Sequence, residues 1–479
     1  MPYREGTARA MGAYDYDLVV IGSGPTGEKG AAQAAYFGKK VALVERQPEL
    51  GGAGVNTGTL PSKTLRETAL YLSGFAQRGL YGVTYAMQRE GISVPQFMVR
   101  KNYVVDTEIK RIHRNLERHK VELVHGDARL TDAHTVEVAL HDGGTRHLTA
   151  EFILLATGSS PRRPPGIPFD DPDVEDSDTI LQLDRIPDTM TVVGGGVIGC
   201  EYASIFACLG VKVTLLEGRS RLLGFLDFEL TDILTKRLRE LGIDILLEDD
   251  VQRVVDDPGP GVILETRSGR RFHAGKVLIA AGRLGNVDGL GLDQAGIKVD
   301  ERKRVVVDKH FRTSAASVYA AGDVIGFPAL ASTGMEQGRV AMCHAFGLTY
   351  KQEVDDHLPY GLYTIPEVGS IGLSEEDCQK QGIAYEVGRA WYRDNARGQI
   401  VGDVEGVVKL VFRADDKRLL GAHILGEKAT ELVHIGQAVM HFGGTIDYFI
   451  RVVFNYPTLS DLYKYAAYDG LGRLQRRSQ

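Results

Sequence analysis

Apolar residues in this chain gather into short continuous runs that close on glycine. Leu18-Val19-Val20-Ile21 leads into Gly22-Ser23-Gly24-Pro25-Thr26-Gly27; an alanine-rich helical stretch follows, and Val41-Ala42-Leu43-Val44 then ends on Glu45. The same order recurs at Thr191-Val192-Val193, Gly194-Gly195-Gly196-Val197-Ile198-Gly199, a helical stretch through Leu209, and Val211 to Leu216 ending on Glu217. A continuous apolar run bounded by turn residues predicts a strand buried on both faces. One strand, turn, helix, strand element is therefore predicted twice. In both copies the acid follows the first glycine by 23 residues.

Three more runs extend the pattern. Phe152-Ile153-Leu154-Leu155-Ala156-Thr157-Gly158 predicts a buried strand entering a small-residue turn, and the proline-rich stretch from Pro161 to Pro168 marks a domain boundary. A similar passage returns at Val277-Leu278-Ile279-Ala280-Ala281-Gly282-Arg283. Val318-Tyr319-Ala320-Ala321-Gly322-Asp323 predicts a strand ending in an acid, with a helix from about Ala329 to Ala345 after it. The first domain thus resumes after a second is inserted into it.

In such a unit the first glycine makes a tight turn, the second lets backbone approach a pyrophosphate, and the third lets helix and strand pack closely. The helix N-terminus attracts the anion, and the terminal acid accepts hydrogen bonds from ribose hydroxyls. One glycine-rich turn arises for steric reasons as readily as for binding. Two complete units, each with its acid, point to two bound dinucleotides.

Composition narrows the function classes. At 479 residues the chain exceeds what one core supports, so about three domains are expected. With 43% hydrophobic and 25% charged residues it is ordinary globular protein. A net charge of −7 without a basic block argues against nucleic acid as a partner. No apolar run reaches the ~18 residues of a membrane span, and the stretch from Met1 to Tyr16 lacks a signal-peptide core, so a cytoplasmic protein without a membrane partner is expected. Met11 is a candidate start. Cys200, Cys208, Cys343 and Cys378 show neither pairing nor metal-ligand spacing, which predicts reduced, mostly buried thiols and no metal site.

These motifs, together with Gly51-Gly52 through Leu60-Pro61-Ser62-Lys63 and the segments Glu431 to Ala438 and Phe454 to Thr458, resemble the flavoprotein disulfide reductase superfamily. Within it the chain resembles most closely the soluble, Si-specific pyridine nucleotide transhydrogenases, from Asp17 to Leu474. The resemblance implies an α/β fold with two Rossmann-like domains, the second inserted in the first, and a C-terminal α+β interface domain. FAD is implied for residues 14–159 and 283–355, NAD(P) for 160–282, and a homodimer or larger assembly through 356–479. Implied cofactor contacts around the first turn are Gly22, Gly24, Pro25, Thr26, Gly27, Glu45, Arg46, Gly52, Thr59, Lys63, Ala128, Ala156, Thr157 and Gly158. Those around the second are Gly194, Gly196, Val197, Ile198, Gly199, Glu201, Glu217 and Arg219, and Gly282, Arg283, Gly322, Asp323, Leu330, Ala331 and Tyr456 complete the set. Lys63 and Glu201 match the family's catalytic ion pair beside the flavin N5.

The departures from the superfamily are as informative. Disulfide reductases carry two cysteines, with four residues between them, where this chain has Gly54 and Thr59, and neither residue can relay electrons to a thiol. Soluble transhydrogenases share the threonine but commonly keep the first cysteine, so Gly54 departs from them too. Where disulfide reductases place an acid–base histidine before a proline, this chain has Tyr456 before Pro457, with Asp461 in the orienting position. A phenol with a reference pKa near 10 is a poor base at neutral pH. What remains is hydride exchange between flavin and nicotinamide, which implies transhydrogenation between NADPH and NAD through one shared nicotinamide site. Two alternatives stay open: an NAD(P)H oxidase or quinone reductase that uses space left by Gly54 and Thr59, and a catalytically silent flavin-binding paralogue.

Nucleotide preference is ambiguous. Glu217 favours NAD by repelling a 2′-phosphate, whereas Arg219 and Arg221 either turn towards that phosphate or face solvent. His434, among Leu432, Val433 and Ile435, is expected to be a core or interface histidine. His344, His423 and His441 look isolated, Arg473 to Arg477 look like a solvated tail, and Cys200 like a packing residue.

Overall fold

The computed structural model describes residues 13–74, 92–256 and 259–477, so the candidate start at Met11 lies outside the described residues. Two compact units share the chain. The first takes the described residues up to Pro61, Lys101–Arg162 and Arg283–Val354; the second takes Ser62–Arg100, Arg163–Gly282 and the chain from Asp355 onward.

In the first unit the central strand Tyr16–Ile21 lies parallel between Val41–Glu45 and Thr145–Leu155, with Glu122–Leu130 and Val318–Ala320 outside them. Val19 stands opposite Ala42 on one side and Ile153 on the other. Both faces of this sheet are covered, which is why its strands do not alternate polar with apolar. Leu18 and Val20 pack with Ala31 and Ala34 of the helix Pro25–Tyr36, with Ala341 and Met342 of the helix Ala331–Ala345, and with Ile109 and Ile112. Val19 and Ile21 pack on the opposite face with Val136, Val138 and Leu148. These come from an antiparallel sheet in which Thr135–Leu140 pairs with the continuations of Glu122–Leu130 and Thr145–Leu155. The helix expected from about Ala329 starts at Ala331, because Pro328 cannot donate and Ala329 adopts a left-handed φ of 51°.

The second unit repeats these layers. Its parallel sheet runs Asp244–Leu247, Lys212–Glu217, Thr189–Val193, Lys276–Ile279, Val174–Asp176. Val192 and Leu215 pack with Ala203 and Phe206 of the helix Val197–Cys208 and with Leu230 and Leu234 of Phe228–Glu240. Val193 and Leu216 face the antiparallel strands Val251–Asp256, Val262–Thr266 and Arg271–Ala274 through Val254, Val262 and Leu264.

The same unit carries a five-stranded antiparallel sheet in the order Tyr360–Leu362, Val368–Gly372, Leu419–Leu425, Val407–Arg413, Tyr385–Trp391. Leu410, Phe412, Ala422 and Ile424 bury one of its faces against Val433, Met440, Tyr463 and Ala466 of the helices Ala429–His441 and Leu462–Arg477. The arginines from Arg473 to Arg477 are largely exposed as expected, but the expected tail is corrected: they lie in the last turns of a helix, with Arg473 bonded to Asp469 at 2.9 Å and Arg477 paired with Glu386 at 2.9 Å. No helix among the described residues is long and apolar enough to cross a membrane.

Candidate active site

The two glycine turns have the same geometry. Gly22 and Gly194 adopt φ of 103° and 110°, and a Cβ on either would lie 2.5 Å from a carbonyl oxygen, Ala156 O or Ala280 O. The third glycines, Gly27 and Gly199, let their helices cross the turn so closely that a Cβ would sit 1.9 Å from Gly22 O and 1.8 Å from Gly194 O. The middle glycines differ in kind. A Cβ on Gly196 would meet nothing within 4 Å, and one on Gly24 only Gly52 Cα at 4.0 Å. Protein packing therefore does not demand glycine there, and the open space leaves room for a group laid against the turn.

The helices behind both turns, and the helix behind Leu330, begin without a side-chain cap. Asp227, Ser374 and Asn395 cap three other helices with side-chain oxygens, while the helix Ala429–His441 also starts uncapped. Uncapped first-turn N–H groups are free donors at the positive end of a helix dipole, which is what a phosphate requires. The turns thus fit a dinucleotide in their backbone as well as in their sequence.

Each acid is held ready by its turn. Ser23 donates to Glu45 Oε2 from N (2.8 Å) and Oγ (2.6 Å), and Gln47 N donates to Oε1 at 2.8 Å. Gly195 N donates to Glu217 Oε2 at 2.7 Å, and Arg219 N to Oε1 at 2.9 Å. Arg219 is an exposed residue that lies back on its own acid: its Nε and Nη2 grip Glu217 Oε1 and Oε2 at 2.9 and 3.0 Å. Burial raises the Glu217 carboxyl, but the Arg219 hydrogen bonds outweigh it and hold the group below the usual carboxylate range. Arg221 stays on the helix Phe228–Glu240, paired with Asp232 and stacked 4.4 Å from the Phe228 ring centroid. The expectation is corrected for Arg221, which its neighbours hold, whereas Arg219 is exposed as one alternative had it but lies on Glu217.

The remaining first-turn candidates spread over several elements. Gly52 opens a short helix, Gly52–Asn56, whose Gly51 N bonds Ser23 Oγ at 2.9 Å. Thr157 and Gly158 are tied to Asn286, with Asn286 Nδ2 donating to Thr157 O at 2.8 Å. Ser159 Oγ donates to Asp323 at 2.8 Å and accepts from Arg283 Nε at 2.9 Å, so Arg283 and Asp323 meet through one hydroxyl. Gly322 packs against Thr26, where a Cβ would meet Oγ1 at 2.4 Å. Arg46 is exposed, and Ala128 lies opposite Val138 in the antiparallel sheet. Gly282 has a φ of 94°.

Lys63 and Glu201 come together. Lys63 Nζ lies 2.8 and 2.6 Å from the two Glu201 oxygens, and Glu201 is only 2% exposed. The third member, Tyr363, is not signalled by residue types: its N–H donates to Glu201 Oε1 at 2.9 Å and its ring lies 5.1 Å from Lys63 Nζ. A second clamp adjoins it: buried Arg66 donates to Thr364 O at 3.0 Å and pairs with Glu367 at 3.1 Å. Lys63 and Arg66 sit three apart on the helix Thr59–Ser73, so one helix face pins the segment from Tyr363 to Glu367. A backbone N–H partner leaves no mark in residue types, and only the fold reveals it.

A family model described as pyridine nucleotide-disulphide oxidoreductase matches residues 16–338, and its dimerisation domain matches residues 358–467. The chain belongs to the pyridine nucleotide-disulphide oxidoreductases. Within that family it belongs with the soluble pyridine nucleotide transhydrogenases. Proteins of that name from Mycobacterium tuberculosis are 47% identical over 97% of this chain and 99% of theirs. Those from Pseudomonas putida (41%) and Chromohalobacter salexigens (40%) match 97% of this chain and 100% of theirs. Among solved structures, the HOCl-induced flavoprotein disulfide reductase RclA from Escherichia coli is 29% identical, with a TM-score of 0.84 over 94% of this chain and 99% of its own. LpdA from M. tuberculosis is 27% identical, with a TM-score of 0.87 over 96% and 99%.

As a pyridine nucleotide-disulphide oxidoreductase the chain is unusual at its thiol positions. Gly54 is not an empty slot: a Cβ there would lie 2.7 Å from Pro25 Cγ, so the proline of the first turn occupies the space. Thr59 begins the helix that carries Lys63 one turn later. All four cysteines are free and buried, and burial pushes the Cys200 thiol far above its ordinary range. Tyr456 is exposed, and Asp461 ends a short 3-10 turn, Leu459–Asp461. His434 is exposed in this chain and bonds Gln437 Oε1 at 2.8 Å, which corrects its expected place in a core. None of the other three histidines is isolated: His344 stacks on His310 at 4.2 Å, His423 bonds Ser370 at 2.8 Å, and His441 bonds Asp355 at 2.7 Å.

Proposed function

We propose that the protein transfers reducing equivalents between NADPH and NAD with FAD as resident cofactor, the two nicotinamide nucleotides using the second turn in succession. Residues 14–159 and 283–355 would hold FAD, 160–282 the nicotinamide nucleotide, and 356–479 would join two copies, consistent with the dimerisation-domain match. The observation that carries this reading is the combination, in one chain, of two complete nucleotide turns with the Lys63–Glu201 pair, where Gly54 and Thr59 stand at the positions of a thiol pair. The full-length relatives that bear the transhydrogenase name support it.

When bound, FAD supplies the two-electron centre that accepts hydride from one nicotinamide and gives it to another. Glu45 and Asp323 offer carboxylates to cofactor hydroxyls, and the uncapped first turns that follow Pro25, Gly196 and Leu330 offer N–H groups to phosphate. Lys63 contributes a fixed ammonium. Glu201 holds it at both carboxylate oxygens, and Tyr363 N–H holds Glu201, so the charge is set in place before substrate arrives and needs no reorganisation during transfer. A single nicotinamide turn means that donor and acceptor exclude one another.

The oxidase or quinone-reductase alternative drew on open space at Gly54 and Thr59, and at Gly54 the Pro25 ring fills that space. The deciding experiment compares NADPH turnover of the purified yellow protein with thio-NAD, menadione and oxygen. Fast thio-NAD reduction with parallel double-reciprocal lines is expected. Turnover with menadione or oxygen alone would replace this function, and intersecting lines would replace the shared site. A cytoplasmic location is proposed with the activity.

A further inference from the structure

A carboxylate offers about four acceptor positions, two on each oxygen. At Glu217 all four are taken: Oε1 by Arg219 N and Nε, Oε2 by Gly195 N and Arg219 Nη2. The two backbone donors are fixed by the turn and by the end of the strand. The other two belong to one guanidinium whose side chain is 63% exposed, while the Glu217 side chain is 7% exposed. An adenosine ribose needs two acceptor positions, one for each of its 2′- and 3′-hydroxyls, and those are the two that the guanidinium holds. A ribose therefore binds Glu217 only after the Arg219 fork lets go.

We propose that Arg219 is an exchangeable plug on Glu217 and, once released, the cation that receives a 2′-phosphate, so that this one residue sets the balance between NAD and NADP. This inference rests on the assignment of the second turn to the nicotinamide nucleotide. With a 2′-hydroxyl present, both ribose hydroxyls replace the fork and Arg219 turns outward into solvent. With a 2′-phosphate only the 3′-hydroxyl can donate to Glu217; the phosphate is repelled by the carboxylate and matched by the freed guanidinium, whose planar donors suit phosphate oxygens. Two ligands of opposite demand are served because the plug costs the first a displaced ion pair and gives the second a partner. Arg221 does not compete for this role, since Asp232, Thr231 and the Phe228 carbonyl already hold it.

The plug makes a prediction that a plain phosphate-binding arginine does not: removing it improves one ligand while harming the other. The probes are ADP-ribose and 2′-phospho-ADP-ribose, titrated calorimetrically into FAD-saturated protein, so that no turnover is needed. Arg219→Ala should tighten ADP-ribose about two- to fivefold, the scale of an exposed ion pair, and weaken 2′-phospho-ADP-ribose about tenfold or more. Arg219→Lys keeps the charge but not the fork, and should retain most of the phosphate affinity. ADP-ribose affinity unchanged or weakened in Arg219→Ala overturns the plug. Failure of wild-type protein to bind either probe would instead defeat the nucleotide assignment itself.

Discussion

The two nucleotide turns share a backbone and differ in what leans on the acid. At the first, Glu45 is met by the Ser23 hydroxyl, a fully buried group that in turn accepts from Gly51 N. At the second, Glu217 is met by an exposed guanidinium. The hydroxyl is uncharged, cannot leave and, among the described residues, leaves Glu45 Oε1 with Gln47 N as its donor and room for another. The guanidinium is charged, can leave and fills its carboxylate. A site closed by a buried neutral neighbour suits a ligand that stays, whereas one closed by a mobile charge suits ligands that alternate. The repeated turn offers each nucleotide a place; on the proposal above, one side chain sets how readily the second is exchanged.

The helices behind the turns extend the comparison. Each buries an acid within two turns of its start: Glu28, held by Asn115 at 2.7 Å, Lys29 and Arg111, and Glu201, held by Lys63 and Tyr363 N. The largest expected effect separates them. Glu201→Gln should slow both half-reactions about 100-fold with flavin retained, the scale of losing a preorganised charge, whereas Glu28→Gln should lower thermal stability and spare turnover. Equal kinetic damage from both would end the distinction. Lys63→Met should destabilise by about 3–5 kcal/mol in denaturant melts, since it strands a buried carboxylate.

Next come the third glycines. Gly27→Ala and Gly199→Ala both force a methyl against a carbonyl oxygen, an overpacking cost of about 1–3 kcal/mol, or roughly ten- to a hundredfold in binding. The first should purify with little flavin by absorbance; the second should stay yellow while losing NADH and NADPH together. Flavin loss from Gly199→Ala would mean that the assignment of the turns is wrong.

Smaller is the effect of Glu217→Ala, which should shift the kcat/KM ratio towards NADPH by about 1–2 kcal/mol. Because Glu217 titrates below its ordinary 4.5, its charge is present above that value and is lost only as pH falls through the depressed one. Selectivity of the wild type should accordingly be flat from about pH 7.5 to 9, above the second ionisation of a phosphate monoester near 6 and within the ionised range of such a carboxylate. A sloping ratio there would assign selectivity to another group. Smallest is the gain from restoring cysteines: Gly54→Cys with Thr59→Cys should give no measurable disulfide reduction, because Tyr456 still replaces the acid–base histidine. Gly54→Cys should itself destabilise by about 1–3 kcal/mol, as the Pro25 ring must move.

Much of this was legible in advance, and for a local reason. A parallel strand covered on both faces has to be apolar throughout, a tight turn with φ near 100° has to be glycine, and the acid that ends the second strand has to sit at a fixed interval. Such constraints act within a few dozen consecutive residues, so residue types alone carried both turns, Glu45 and Glu217, and the absent thiols. The layering of each parallel sheet between helices and an antiparallel sheet was not legible, because Val136 and Val254 alternate like any half-exposed strand. Arg473 to Arg477 misled because a basic stretch looks the same in a tail and in a helix whose other face is buried.

What the sequence by itself determined is the kind of ligand: two glycine turns, two acids, no thiol pair, no basic face. What only the tertiary structure decided is how the charges are used. Lys63 and Glu201 stand 138 residues apart, and the backbone N–H of Tyr363 that steadies them belongs to a residue with no distinguishing neighbours. Arg219 could point anywhere until the fold showed a carboxylate with its four acceptor positions already filled. Hydrogen-bond saturation is a property of atoms brought together in space, and spacing along the chain does not encode it.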